Sequence, residues 1–386
     1  MRQAVKLSID DLGFFFEERH RALAAELVRV AEGLSRVEHA EGPGAAARLA
    51  RVLGAEHGLY RLLVPEKGPV DLRALCLVRE MLGQVSPLAD AIFAVQGLGV
   101  TPLVLAGSAE QRARHLPAAV RGEAIFGFAL TEPEAGSDVG GMQATARRDG
   151  DGFVLEGEKT FISNVGIAHQ FVVFANANPE AGKKGISAFL VPADAPGLST
   201  EPIPMSIDHP IGRLRLRGCR LPPSALLGEV GQGLRLALGT LDTFRVTVGA
   251  AAVGMARRAL DETLGRVRAR RQFGKPLAEQ QLVQAQLAEM ATELDAARLL
   301  VLRAARLKDD GRDRVPVEAA MAKLYATEAA QRIIDRAVQL HGGLGVTLGS
   351  AVERLYREIR PLRIYEGTSE IQHLIIGRAL GQGETG

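Results

Sequence analysis

Apolar residues recur three and four positions apart over 22–34, 45–53 and 72–82, the spacing that collects them on one face of an α-helix. Residues 1–121 are therefore expected to form a helical domain. From about Gly122 to Gly233 the rhythm changes to short β-branched and aromatic runs: Phe153-Val154-Leu155, Thr160-Phe161-Ile162, Phe171-Val172-Val173-Phe174 and Ile186 to Val191. Asp149-Gly150-Asp151-Gly152, Gly182 and Pro192 punctuate them, so the pattern predicts strands joined by tight turns and a middle β-domain over 122–233. The helical period then returns in longer stretches, 234–270, 279–308, 317–340 and 369–380, which predict a helical bundle over 234–386. A helix of about 35 residues is roughly 50 Å long, so it must pack along parallel partners or another subunit.

Composition narrows the function classes. A chain of 386 residues, 47% hydrophobic and 24% charged, is long enough for two or three packed domains. A net charge of +2 provides no global field for nucleic acid or an anionic membrane, so an acidic ligand must be held by a local cluster of Lys or Arg. Cys76 and Cys219 lie far apart and offer neither a disulfide framework nor a metal spacing, which fits a reducing cytoplasm. The 8 histidines include no His-Glu-x-x-His or comparable grouping, so no metal site is expected. Asp10, Asp11, Glu17 and Glu18 flank Phe14-Phe15-Phe16; this is neither a signal peptide nor a membrane span, and a soluble protein is expected.

Four segments carry chemistry. Tyr365-Glu366-Gly367-Thr368-Ser369-Glu370-Ile371-Gln372 places a carboxylate on a glycine-released turn, with Ser369 and Gln372 at capping-box spacing for a last helix. Glu366 is a candidate catalytic base, or an anion favoured at the positive end of that helix. Ala129 to Gly141, with Thr131, Gly136 and Ser137, is a loop of exposed donors suited to a polar heterocycle or phosphate, or a plain surface turn. Gln339-Leu340-His341-Gly342-Gly343-Leu344-Gly345 contains more glycine than one helix stop requires, which leaves room for a flat ligand against the backbone. Arg268 to Pro276, followed by Gln280-Gln281, is either a solvated helix cap or the best local anion site. Gly-x-Gly-x-x-Gly after a strand and the P-loop pattern are both absent, which disfavours nicotinamide and nucleoside-triphosphate enzymes of those types.

Together these segments resemble the acyl-CoA dehydrogenase family of flavoproteins over nearly the whole chain. The 129–141 stretch is similar to the family's first signature, 339–358 to its second, and 363–372 to the segment bearing the catalytic glutamate. The resemblance implies an N-terminal helical domain, a middle β-domain and a C-terminal four-helix bundle, assembled as a homotetramer with FAD at the junctions. It implies that Glu366 removes the α-proton of an acyl-CoA while the β-hydride goes to flavin N5, giving a trans-2-enoyl-CoA. Electrons would pass to an electron-transferring flavoprotein.

By the same resemblance, Phe128, Leu130, Thr131, Gly136 and Ser137 match residues around the flavin, with Ser137 also meeting substrate. Phe161, Ile162 and Ser163 match a second flavin segment, where many members have Trp in place of Phe161. Arg270, Phe273, Gln280 and Gln281 match residues that reach the FAD of a neighbouring subunit. Gln339, Leu340, His341, Gly342 and Gly343 lie near its adenosine end, and Thr368 and Glu370 fall on further FAD contacts. Asp242, Arg245, Tyr365 and Gly367 match substrate-side positions, and Phe244 stands where a minority of members carry the base. The segment from Met205 to Leu221 departs from the family; Arg213, Arg215, Arg217 and Arg220 there are either phosphate contacts or an exposed strand face. An acyl-CoA oxidase, a dehydrogenase of a carrier-bound or unusual acyl group, and a non-catalytic flavin-binding protein are the alternatives.

Overall fold

The computed structural model describes Val5, Leu7, residues 9–37 and residues 44–383. Its helices are α1 (Glu18–Val37), α2 (Ala45–Arg51), α3 (Leu72–Val85), α4 (Pro87–Ala106), α5 (Ala109–Val120), α6 (Gly233–Ala269), α7 (Gln281–Asp309), α8 (Pro316–His341), α9 (Ala351–Ile359) and α10 (Ser369–Gly381). Its main strands are β1 (Phe126–Ala129), β2 (Thr145–Asp149), β3 (Gly152–Ser163), β4 (Gln170–Asn176), β5 (Ile186–Pro192), β6 (Leu198–Pro202), β7 (Ile211–Leu221) and β8 (Leu226–Leu227). The order is helical, then β, then helical, and the four long C-terminal helices begin and end within two residues of the expected positions. Two helices, α4 and α6, are long and apolar enough to cross a membrane, but 72% of the qualifying window in each is buried within the protein.

Backbone contacts divide the chain into two compact units. One comprises the described residues of Glu41–Val70 and Ala91–Phe244. Its strands run β6-β7-β3-β2-β4-β5-β8, with β1 pairing parallel to β4. The Asp149-Gly150-Asp151-Gly152 turn closes the β2–β3 hairpin with Asp149 opposite Gly152. One face buries Phe153, Leu155, Phe171, Val173, Phe189, Leu214 and Leu216, alternate positions along their strands, while β4 and β5 bury their other face as well, with Val172, Phe174, Ala188 and Leu190 also buried. The β3–β7 ladder shifts register between Lys159 and Ile162, a bulge that re-aims the side chains at its ends. On the same unit, Gln111 at the start of α5 donates to the carbonyls of Ser224 and Leu226, fastening that helix to the end of the sheet.

The other unit comprises the described residues of Met1–Ala40, Asp71–Asp90 and Arg245–Gly386. Its core is rich in alanine, with Ala250, Ala251, Ala297, Ala304, Ala322, Ala326 and Ala330 among the buried residues, so backbones approach closely. A Cβ on Gly254 would lie 2.1 Å from the Glu80 carbonyl oxygen, which is why α3 and α6 meet at glycine. The buried Arg73 guanidinium reaches Asp309, Glu17 and the Phe15 carbonyl, tying α3 to α7 and to the N-terminal segment. His20, Asp71 and Asp309, scattered in sequence, converge here with ligand atoms within 4.8 Å. Their carboxylates already accept from Arg73, Arg19 and the first amides of α3, so the cluster is a charge-balanced structural hub. Cys76 and Cys219 are both buried free thiols.

Candidate active site

Glu366 sits between a 3-10 turn, Arg360–Arg363, and α10, with φ +54° followed by Gly367 at +91°. A left-handed non-glycine residue is uncommon and costs roughly 1–3 kcal/mol, a strain that concentrates where a side chain must be aimed. Among the described residues, four non-glycine residues have positive φ, and three of them, Phe161, Phe273 and Glu366, are site residues expected from sequence. The expected Ser369–Gln372 capping box is corrected. The cap is Thr368, whose hydroxyl accepts from the Ile371 amide, and Ser369 is already helical. Ser369 instead donates to Glu328 at 2.6 Å, and the Gln372 amide turns back to the carbonyl of Gly367 at 2.8 Å and towards that of Glu366 at 3.4 Å.

Buried cations surround this turn. Arg245 Nε donates to the Glu366 carbonyl at 3.4 Å, and Lys323 Nζ donates to the Gly367 carbonyl at 2.8 Å. Burial raises the Tyr365 hydroxyl pKa well above the ordinary value, against the pull of the Arg79 guanidinium. The Glu366 Oε2 atom is itself buried and meets no hydrogen-bond partner. Desolvation lifts the Glu366 pKa from 4.5 to about 7, against the pull of Arg79, Arg245 and Lys323 and with a smaller push from Asp90. Burial likewise lowers the Lys323 pKa to about 8. A carboxylate that titrates near neutrality and has an unsatisfied oxygen is equipped to accept a proton.

In the β-containing unit the structure brings the two expected flavin segments together. Thr160 N–H donates to the Thr131 carbonyl at 2.9 Å. The fully buried Lys159 donates to the Leu130 carbonyl at 3.1 Å and to the Glu132 carboxylate at 2.7 Å, and Glu132 also accepts from the amides of Gln143 and Ala144. Phe161, at the bulge, is 60% exposed. Phe128, Thr131 and Ser163 are half-buried, Leu130 and Ile162 are buried, and Gly136 and Ser137 are exposed; only backbone is available where side chains point into the core.

The remaining candidates form other groups. Arg270, Phe273 and Gln280 surround a short hairpin in which Leu277 N–H bonds the Arg270 carbonyl at 2.8 Å and Gln280 reaches the Gln272 carbonyl at 3.4 Å. Phe273 is 95% exposed, and Gln281 opens α7 in an exposed position. At the end of α8, Gln339 is exposed, Leu340 and His341 are half-buried, and His341 Nδ1 meets the Ala337 carbonyl at 2.7 Å. Gly342 turns at φ +63°, and a Cβ on it or on Gly343 would touch nothing within 4 Å. Glu370 is exposed, with its pKa lowered chiefly by the Thr368 hydroxyl. Asp242 is half-buried and belongs to the other contact unit from Arg245. Arg213 and Arg215 pair with Glu158 and Glu201, and Arg220 pairs with Asp149, so carboxylates engage three of the four arginines of the divergent segment.

Sequence reading did not single out Arg79, Asp90, Thr247, Lys323, Lys159 or Glu132 as members of a site. Lys323 did carry a signal, since it shares a helical face with Ala319, Ala322, Ala326 and Ala330, all buried. A charge in such a stripe needs a buried partner.

Comparison with known proteins matches the acyl-CoA dehydrogenase N-terminal domain to residues 16–123, the middle domain to 127–219 and the C-terminal domain to 231–381. The 3-(aryl)acrylate reductase of Clostridium sporogenes is 38% identical over 333 residues, 84% of this chain and 88% of the relative. Human mitochondrial short-chain specific acyl-CoA dehydrogenase is 40% identical over 333 residues, 83% of this chain and 79% of the relative. The solved butyryl-CoA dehydrogenase of Megasphaera elsdenii superposes with a TM-score of 0.87 at 29% identity, covering 95% of this chain and 98% of that one. With matches to all three domains and relatives of this identity along most of its length, the chain belongs to the acyl-CoA dehydrogenase family of FAD-dependent oxidoreductases.

Proposed function

We propose that the protein is an α,β-dehydrogenase of acyl-CoA thioesters in which Glu366 is the base that removes the α-proton. The observation that carries this reading is the buried, unpartnered Oε2 of a carboxylate on a strained turn, with a pKa near 7. In this reading the backbone N–H of Glu366 donates to the thioester carbonyl and stabilises the developing enolate, as oxyanion-hole donors do. Burial shields the Oε2 atom of the half-buried Glu366 from water, and Lys323, Gln372 and Arg245 hold its backbone through the carbonyls of Glu366 and Gly367, so the base is oriented before substrate arrives. Bound FAD would supply the acceptor for the β-hydride.

The residues present suit that cofactor. Open backbone at Gly136, Gly342 and Gly343 leaves space for a ligand to lie close, Thr131 and Ser137 offer hydroxyls, and Phe161 offers an exposed ring. The amides at the start of α10 and the Arg270 guanidinium favour phosphate. In the same reading Arg270, Phe273, Gln280 and Gln281 reach the cofactor of another copy in a tetramer, which is supported by the exposure of Phe273, Leu282, Val346 and Leu348 at 95%, 81%, 72% and 83%. The electron acceptor is an electron-transferring flavoprotein.

One observation favours a second reading, reduction of a 2-enoyl group by the same residues run backwards: the similarity to a relative named 3-(aryl)acrylate reductase. Anaerobic mixing of the FAD-loaded protein with a panel of straight, branched and aryl acyl-CoAs tests the first. Bleaching of the flavin is expected, and Glu366→Gln should retain FAD and lose bleaching by about 100-fold or more. Oxidised flavin throughout the panel, with rapid reoxidation of reduced enzyme by arylacrylyl-CoA, would favour the second.

A further inference from the structure

Arg79 and Asp90 are 0% and 1% exposed and form a two-pronged pair, with Nε and Nη2 each 2.8 Å from a carboxylate oxygen. Arg79 Nη1 donates to Thr247 Oγ1 at 2.9 Å, two residues along α6 from Arg245, whose Nε reaches the Glu366 carbonyl at 3.4 Å. Four helices thus bring charge to bear on Glu366: Arg79 from α3, Asp90 from α4, Arg245 from α6 and Lys323 from α8. A fully buried ion pair is a poor stabiliser, because desolvating both charges consumes most of their attraction and apolar residues of the same volume often do as well. Its placement needs another reason.

We propose that the Arg79–Asp90 pair is a positioning and charge-setting device for Glu366, with Arg79 favouring the ionised base and Asp90 limiting how strongly it does so. The geometry accounts for both halves. Arg79 is locked by Asp90 and Thr247, so its charge is fixed relative to α6, which holds the turn that carries Glu366 through Arg245. Asp90 occupies the Nε–Nη2 edge of that guanidinium, and it neutralises part of a field to which Arg245 and Lys323 already contribute two positive charges. Without Arg79 the carboxyl would hold its proton at neutral pH and could not act as a base; without Asp90 it would ionise readily and be a weaker base. Asp90 and Thr247 serve as the hydrogen-bond frame that stops Arg79 from swinging to Glu366 and neutralising it directly.

The inference rests on the proposed role of Glu366 as the base, and its test reads that carboxyl without turnover. In the FAD-loaded protein the protonated Glu366 carboxyl is followed by difference infrared spectroscopy across pH, with Glu366→Gln assigning the band. Asp90→Asn should lower the titration midpoint, and the uncharged pair Arg79→Gln/Asp90→Asn should raise it, each by about one pH unit. Unchanged midpoints, or movement in the same direction, would overturn the proposal. If Asp90→Asn does not fold, the double variant decides alone: a raised midpoint supports the proposal, and an unchanged or lowered one refutes it. Opposite shifts in a protein that bleaches with no acyl-CoA would sustain the pair's action and sink the dehydrogenase reading.

Discussion

Lys323 donates a 2.8 Å hydrogen bond to the carbonyl of Gly367, the residue that follows the candidate base, and Gln372 donates to the same oxygen at 2.8 Å. A fully buried ammonium on α8 therefore holds a left-handed turn from one side while the first turn of α10 holds it from the other. Lys323 also acts on Glu366 through its charge, lowering the carboxyl's pKa.

Replacing Lys323 by Met removes both effects. The Glu366 titration should move to higher pH, so the rise of the flavin-reduction rate with pH shifts upward by about one pH unit. The measurement is the pH dependence of anaerobic reduction; an unshifted profile with a uniformly lower rate would assign Lys323 a packing role alone.

Glu366→Gln should stabilise the fold at alkaline pH while abolishing catalysis. The carboxyl's pKa is about 7 folded and 4.5 as its ordinary value, so between those pH values the folded state holds a proton that the unfolded chain has released. Stability then falls as pH rises through this window, and the deficit, about 3 kcal/mol at most, is complete above pH 7. The glutamine variant lacks that deficit. Its melting temperature should exceed the parent's at about pH 8, and the gap should close towards pH 4.5.

Gly367→Ala should damage the turn. The residue needs φ +91°, and an added Cβ would lie 2.5 Å from the Gln372 amide nitrogen, so the side chain that clamps the turn must give way. A loss of at least about 1 kcal/mol in stability is expected, with a drop in the rate of flavin reduction at unchanged FAD content. Thermal melting and single-turnover kinetics on the same preparation separate the two.

Lys159→Met leaves the Glu132 carboxylate buried without its cation, a change that typically costs about 3–5 kcal/mol. Because this pair joins the 129–141 loop to β3, the variant should lose FAD more readily as well as melt earlier. Lys159→Met/Glu132→Gln, which removes the stranded charge, should recover part of the stability. FAD retention on dilution and melting temperature check both effects.

The order of helical and β segments, the ends of the long helices and the candidate base are legible in the sequence because each rests on local physics. Apolar period distinguishes α6, α7 and α8 from the strands, glycine marks Gly367 and Gly342 as positions of special backbone, and the Asp149 to Gly152 turn announces its own hairpin. Those signals lie within a few residues of one another and need no partner from elsewhere. The capping residue differs by one position from the sequence expectation because Ser369 and Thr368 are both competent caps, and the choice depends on the left-handed turn before them. Arg79, Asp90, Thr247 and Lys323 were out of reach for a different reason. They come from four helices, of which only α3 and α4 are neighbours in the chain, and the role proposed for them is the field and hydrogen bonding they exert around one carboxylate, which exists only once packing has removed water from all of them together. By itself the chain specified which segment carries the candidate base and where glycine lets its backbone bend; tertiary packing decided the charge environment in which that carboxyl titrates, since electrostatic interaction grows strong only where the surrounding dielectric is low.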